Sequence, residues 1–312
     1  MAEPIALLAL GLDAAIGWPA ALYRRIGHPV GAFARFIHAL DTRWNRTGYH
    51  DATRQWLGVA TVALLVGGTI LLAIAAEALL ALLPAPWSWI GLAALAWPAL
   101  AQRSLYEHVR AVAQHLERGE REAARTAVAQ IVGRDVASLD EAGIARAAIE
   151  SLAESFCDAL AAPLFWLVLG GLPGVWAYKA INTADSLIGH REEPYRRFGW
   201  AAARLDDVVN LIPARLAALL LCAVAGRGLR ILLRDAHRHA SPNAGWTEAA
   251  MAGALDLRLA GPVCYDGVWH AKEWIGAGRA EASAQDIARA LRIYTRACLI
   301  LWIIAGGIAW AL

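Results

Sequence analysis

Apolar and polar stretches alternate along this chain on the scale of whole helices. Residues 57–83 are almost continuously apolar. At 1.5 Å per residue such a run crosses about 30 Å of hydrocarbon. Glu77 lies toward its end, where a carboxylate costs roughly 2–3 kcal/mol unless it reaches water or a partner. Pro84-Ala85-Pro86 makes a turn, and 87–101 returns, so 57–101 reads as a transmembrane hairpin. Upstream, 4–17 is mildly apolar with Asp13 inside it, and no basic stretch precedes it, which argues against a cleaved signal peptide. Gly17-Trp18-Pro19 breaks that segment. His28 precedes Pro29 and belongs in a turn, with a structural and a ligand-contact role both open. Residues 31–46 read as an amphipathic helix, with Phe33, Phe36, Ile37 and Leu40 on one face and Arg35, Arg43 and Arg46 bordering it.

Residues 102–158 read as water-facing helices. Leu105, Val109, Val112 and Leu116 share a face up to Gly119, and a second helix covers about 120–132. Ser138 with Glu141 has capping-box spacing and predicts a helix from Leu139. On it Glu150, Glu154 and Asp158 stack at i, i+4 and i+8, running into the apolar segment 159–177. Like charges so spaced are mutually destabilising. Either the stripe is a solvated face, with Arg146 neutralising Glu150 in part, or it meets a cation, for which oxygen ligands suit Mg²⁺. Pro163 and Gly170-Gly171-Leu172-Pro173-Gly174 interrupt 159–177, and with 208–225 it reads as broken or re-entrant, lining a polar centre.

The densest polar stretch follows. Lys179, Asn182 and Ser186 share a helical face with Asp185 beside them, Arg204 pairs with Asp207 at i, i+3, and Asp206 with Asn210 at i, i+4. Lys179 and Lys272 are the only lysines among 29 basic residues. Lys179 either snorkels from a helix end or supplies a compact ammonium to a site. Residues 226–296 are polar again. Ser241-Pro242-Asn243-Ala244-Gly245-Trp246 is a turn before a helix from about 247, with Thr247 as N-cap and Ala249, Ala250, Ala252, Gly253 and Ala254 permitting close packing. It is either a plain capped turn or an anion site. An amphipathic helix near 284–296 and a short apolar segment at 297–312 close the chain.

Composition fits this picture. Among 312 residues 58% are hydrophobic and 18% charged, with mean hydropathy +0.42, between a soluble protein and a pure membrane bundle. The net charge of +2 gives no electrostatic case for nucleic acid. Cys157, Cys222, Cys264 and Cys298 lack ligand spacing and read as buried thiols. Trp56, Trp87, Trp89 and Trp176 sit near ends of apolar runs, as interfacial belts require. Arginines before the hairpin and none in its turn put the turn outside and its feet, with the 178–207 loop, in the cytoplasm. The expected fold is all-α: a polytopic integral membrane protein with amphipathic and re-entrant helices and cytoplasmic helical segments. It is read as one membrane-embedded domain over 1–312: the hairpin 57–101, cytoplasmic helices 102–158, broken helices 159–225, a cytoplasmic loop and helices 226–296, and a C-terminal membrane segment 297–312. No P-loop, HExxH, GxSxG or GxGxxG pattern occurs in a fitting context.

The chain resembles the CbiB/CobD family, the adenosylcobinamide-phosphate synthases of cobalamin biosynthesis. The resemblance runs nearly end to end. It is carried by His28-Pro29-Val30, Ala161 to Phe165, YKAINTADS from Tyr178 to Ser186, FGWAAARLDD from Phe198 to Asp207, Ile212 to Arg215, and SPNAGW-x-EAAMAGAL from Ser241 to Leu255. Where the family has Ala-Glu-Asn-Thr-x-Asp-Gly, this chain reads Ala153-Glu154-Ser155-Phe156-Cys157-Asp158-Ala159. Trp18 stands where many members have Asp, and Thr247 where many have Pro.

The resemblance implies amide ligation of a corrinoid carboxylate, adenosylcobyric acid, with 1-amino-2-propanol O-2-phosphate or a related amino alcohol, using ATP and Mg²⁺. On that basis Glu154, Asp158, Lys179, Asp206 and Asp207 are the catalytic candidates. Glu154, Asp158, Asp185, Asp206 and Asp207 are the magnesium candidates. Lys179, Arg204 and Arg215 would neutralise phosphate, and Asn182, Asp185, Ser186, Asn210, Ser241 and Asn243 would bind substrate or nucleotide. These groups are expected to meet in one polar pocket facing the cytoplasm at the cell (inner) membrane. The expected partners are the lipid bilayer and other late cobalamin-pathway membrane enzymes. The rival reading is a non-catalytic transporter, binding or signalling protein of the same fold.

Overall fold

The computed structural model describes residues 4–265, 268–270 and 272–311. The fold is all-α and polytopic, with four short strands between Leu259 and Ile275. Among the described residues three helices are long and apolar enough to cross a membrane: Asp51–Leu80, the continuous stretch Glu141–Ile188, and Ala284–Ala311. The number rises to five if two bent pairs each count as one span, Ile5–Ile16 with Ala20–Trp44 and Trp200–Val209 with Leu211–Ala225. By packing, the chain forms two compact units, each assembled from separated segments.

The first unit comprises Met1–Ala101, Ala162–Asn210 and Ala305–Leu312. Its axis is the Asp51–Leu80 helix lying along Ala162–Ile188. Ile37, Val62, Leu65, Ala180, Ala184, Ile188, Phe198 and Ala202 fill the space between them and their neighbours. Small residues at 180, 184 and 202 let the helix backbones approach closely. The Ala162–Ile188 helix is broken at Gly171, whose φ of 59° suits glycine. The break frees the Leu172 amide, which donates to Glu77 Oε1 at 2.8 Å. The acid that looked costly in an apolar run thus satisfies a backbone donor that the kink exposes. Beyond the break the helix continues through the polar residues 178–186 to Ile188.

The Gly189 to Gly199 loop is held from below. Arg54, only 5% exposed, reaches Asn45, Glu193 and the Pro194 carbonyl. Tyr195 donates to Asp41 at 3.2 Å. The amphipathic helix predicted over 31–46 spans Pro29–Trp44, and His28 accepts from Val30 N as its cap. Trp56 and Trp87 are exposed, as an interfacial belt requires. Trp176 differs, donating its indole N–H to Leu95 O.

The second unit comprises Gln102–Ala161 and Leu211–Ile304. Its centre is the Ala244–Leu255 helix, on which Thr247 to Leu255 are all buried. Leu211–Ala225, Leu229–Asp235 and Glu141–Phe156 pack around it. A Cβ at Gly253 would lie 2.7 Å from Gly228 Cα, so glycine permits that contact. Buried Asp235 binds the Arg234 guanidinium and accepts from Gly276 N at 2.9 Å, tying the Trp274–Ile275 strand to this core.

Three local features differ from the sequence expectation. The Glu141–Phe156 helix is capped by Asp140, which accepts from Gly143 N at 2.7 Å, and not by Ser138. Asp140 sits directly before the first helical residue, where its carboxylate reaches that amide. The central helix begins at Ala244, three residues before Thr247. Ser241 Oγ accepts from the amides of Asn243 and Ala244, while Thr247 lies inside the helix and donates to Ala244 O. The stretches 284–296 and 297–312 are not separate elements: Ala284–Ala311 is one helix, because no breaker separates its amphipathic first half from its apolar second.

Candidate functional site

The predicted site residues fall into two sets, one in each unit. In the first unit, Lys179, Asn182, Asp185 and Ser186 occupy the last turns of the Ala162–Ile188 helix. Arg204, Asp206 and Asp207 occupy the Trp200–Val209 helix, which Asn210 ends. Asp206 is the hub. Its Oδ1 accepts from Asn182 Nδ2 at 3.3 Å and its Oδ2 from Asn210 Nδ2 at 3.0 Å. Asn210, 1% exposed, accepts from the Tyr178 hydroxyl at 3.0 Å. The i, i+4 spacing of Asp206 and Asn210 produces the contact it predicts. Arg204 meets Asp207 at 3.5 Å, an exposed guanidinium on a half-buried carboxylate, a pair worth little by itself. Asp206 and Asp207 therefore face different partners. Ser186 donates to Asn182 O, and Asp185 lies against Gly189.

In the second unit, the Glu150–Glu154–Asp158 stripe bends at its end, because Cys157–Ala161 is a π-helical turn. Such turns recur at functional sites. Glu150 is 8% exposed. It binds Arg134 Nη2 at 2.7 Å and the Ala260 amide at 2.8 Å. The neutralising partner is thus Arg134 and not Arg146, which lies over the Trp274 ring and donates to Ala280 O. Glu154 is exposed and Asp158 half-buried. Arg215 donates to Asn243 Oδ1 at 3.1 Å, its guanidinium 4.6 Å from the Trp246 ring centre. Arg215, Ser241 and Asn243 thus gather at the start of the Ala244–Leu255 helix, where amide groups and the helix dipole favour an anion. Among the described residues no three His, Cys, Asp or Glu side chains are grouped to hold a metal ion.

A residue absent from the candidate set lies buried on the central helix of this unit. Glu248 is 5% exposed, and its Oε2 has no hydrogen-bond partner among the described residues. Oε1 faces His239 Nε2 at 3.7 Å. Since His239 Nδ1 accepts from Ser241 N at 3.0 Å, the ring proton resides on Nε2. Burial pushes the Glu248 carboxyl well above the usual carboxylate range, and the charges of Glu150 and Glu154 push it further. Lys272 and Arg134 oppose that rise.

A family model described as CobD/Cbib protein matches residues 6–294. The chain belongs to the CobD/Cbib family. A curated protein of Rhodobacter capsulatus called cobalamin biosynthesis protein CobD is 47% identical over 307 residues, covering 97% of this chain and 96% of that protein. Proteins of the same name from Sinorhizobium sp and Rhizobium meliloti are 46% and 43% identical. They cover 96% and 95% of this chain, and 97% and 94% of their own lengths. No solved structure matches. Within the CobD/Cbib match, the SPNAGW-x-EAAMAGAL stretch contains Glu248 itself. A sequence signal existed: Glu248 is the one ionisable residue in the otherwise small and apolar helix Ala244–Leu255.

Proposed function

We propose that the protein acts in cobalamin biosynthesis by joining the carboxylate of adenosylcobyric acid to the amine of 1-amino-2-propanol O-2-phosphate, or a related amino alcohol, as an amide. The observation that carries this reading, beside membership of the CobD/Cbib family, is the Ala244–Leu255 helix. Arg215 of the Leu211–Ala225 helix reaches the turn at its start, where Ser241 and Asn243 stand, and Glu248 lies a turn into it. An amino alcohol phosphate carries both an anion and an ammonium on a short chain.

The residues divide the work as follows. Arg215, with its guanidinium over Trp246, would hold phosphate. Lys179 and Arg204 would neutralise further negative charge. Asn182, Asp185, Ser186 and Asn210 would orient a polar ligand around Asp206. Glu154 and Asp158, beside the π-turn, would meet cationic parts of the ligands.

ATP supplies activation of the carboxyl when bound. A Mg²⁺ cage built from protein side chains alone does not fit the described residues. The magnesium roles of Glu154, Asp158, Asp185, Asp206 and Asp207 are therefore limited to one or two of them touching a phosphate-bound ion, its ordinary mode of binding. The reaction would take place at the cytoplasmic face of the cell membrane, beside other late enzymes of the pathway.

The test is mass spectrometry of corrinoid after incubation of the purified protein with cobyric acid, amino alcohol phosphate, ATP and Mg²⁺. The amide adduct is expected. Accumulation of labelled ligand in vesicles without covalent product would select transport instead.

A further inference from the structure

We propose that Glu248 is the amine-binding base of the second unit: its uncovered Oε2 receives a substrate ammonium and takes its proton. The inference rests on the amide-forming reading above and adds to it the residue that prepares the nucleophile.

The geometry supplies the argument. The two oxygens of Glu248 differ. Oε1 faces the Nε2–H of His239 at 3.7 Å, and that imidazole is fixed by the Ser241 amide on its other nitrogen. Because Nε2 already carries its proton, His239 orients the carboxylate and has no free lone pair with which to act as base. Oε2 has no hydrogen-bond partner among the described residues. A buried polar atom left uncovered costs free energy unless a ligand covers it.

Charge sets the ligand class. The groups that act on Glu248 are Glu150 and Glu154 from the Glu141–Phe156 helix, Arg134 from the preceding turn, and Lys272. His239 stands beside it as a neutral ring. Among the described residues three carboxylates thus stand against two cations, and Arg134 is already bound to Glu150 at 2.7 Å. The set accepts one further positive charge. A metal ion is disfavoured, since the three carboxylates do not form a metal-holding group. A primary ammonium has three donors on a compact head and needs only one uncovered acceptor. Glu154, the exposed member, is the open side of the set.

The step balances. An N–H bond of the ammonium breaks, an O–H bond forms at Oε2, and the lone pair left on nitrogen becomes the nucleophile. The raised proton affinity of Glu248 serves this transfer, because a base with the ordinary carboxylate affinity is too weak to hold an ammonium proton. The cluster's remaining charge falls by one as the proton arrives, which removes the penalty that burial imposed.

The experiment uses the full chain in detergent, with Glu248→Gln and Glu248→Asp. Thermal stabilisation is measured with 1-amino-2-propanol O-2-phosphate and with the same phosphate ester lacking the amine. Wild type is expected to be stabilised more by the amine, and Glu248→Gln to lose that difference while melting no lower than wild type. In the amide assay Glu248→Gln should lose about 10²–10⁴-fold in kcat. KM for the corrinoid should be unchanged. The residual rate should climb about tenfold per pH unit through pH 7–9, as solution supplies free amine. Should Glu248→Gln not fold, Glu248→Asp is used. Retained amine selectivity with a reduced rate supports the proposal, and the wild-type rate overturns it.

Wild-type turnover, undiminished amine selectivity or a flat pH dependence in Glu248→Gln overturns the inference and leaves the amide reading standing. If wild type forms no amide, that reading fails, and the binding experiment alone still decides the ammonium site.

Discussion

The polar centres of the two units contrast in how completely they are satisfied. Around Asp206 the network closes: two amides cover the two carboxylate oxygens, and a tyrosine covers the amide oxygen behind them. Around Glu248 one oxygen has no hydrogen-bond partner among the described residues, in a buried setting. A closed network rigidifies the helices that carry it, whereas a group left open holds free energy that a ligand can release. On the proposal above, the first centre positions and the second handles charge.

The largest effect that would break this contrast is on catalysis. Glu248→Gln is expected to remove nearly all amide formation, whereas Asp206→Asn, which keeps an acceptor for one amide, should retain more. Rates of corrinoid amide formation check this, and the reverse order would dissolve the contrast. Asp206→Ala and Lys179→Ala are both expected to abolish turnover while protein levels in the membrane stay intact. Turnover unchanged in both would remove those residues from the site.

Stability sharpens the contrast next. Asp206→Ala removes the carboxylate to which Asn182 and Asn210 donate and should cost about 1–3 kcal/mol. Glu248→Gln should cost nothing and should stabilise at neutral pH. Thermal melts in one detergent compare the two. A similar penalty follows at the kink: Glu77→Leu strips the Leu172 amide of its acceptor and should cost about 1–3 kcal/mol, while Glu77→Gln keeps an oxygen and should cost less.

The smallest expected effects are in pH dependence, and their signs oppose. The Arg234 guanidinium, with the Gly276 amide and Arg238, holds the Asp235 carboxyl below its usual range against the cost of burial. Asp235 therefore contributes stability that is complete above the ordinary aspartate range and is lost as pH falls through its lowered value. Glu248 is raised. Its contribution is complete below the ordinary glutamate range and is lost as pH rises toward its elevated value. Melting curves across pH 3–8 should show Asp235→Asn flattening the acid limb. Glu248→Gln should gain on wild type as pH rises. Parallel curves for all three proteins would remove both assignments.

Much of the architecture was legible because it follows from periodicity and chain stiffness. The apolar run at 57–83, its Pro84-Ala85-Pro86 turn and the amphipathic helix after His28 depend on local spacing, and they appear within a few residues of where that spacing puts them. The family resemblance was legible for a different reason, since long specific stretches such as Tyr178 to Ser186 carry identity without any geometry. Pairings at i, i+4, Asp206 with Asn210 among them, were legible because one helix turn determines them.

What distant parts of the chain supply was not. Glu77 looked like a liability until Gly171 broke a helix beside it and offered an amide. Glu150 found Arg134 and the Ala260 amide in place of Arg146 one turn away. Glu248 lies inside a recognised stretch, yet only the packing of its unit could leave one oxygen without a hydrogen-bond partner among the described residues and set two acids and a histidine around it. Composition and spacing determine which segments are helices and which faces are apolar, since those depend on neighbours along one turn. The ionisation and the reactivity of a carboxylate depend on what surrounds it in space, and folding alone decides that.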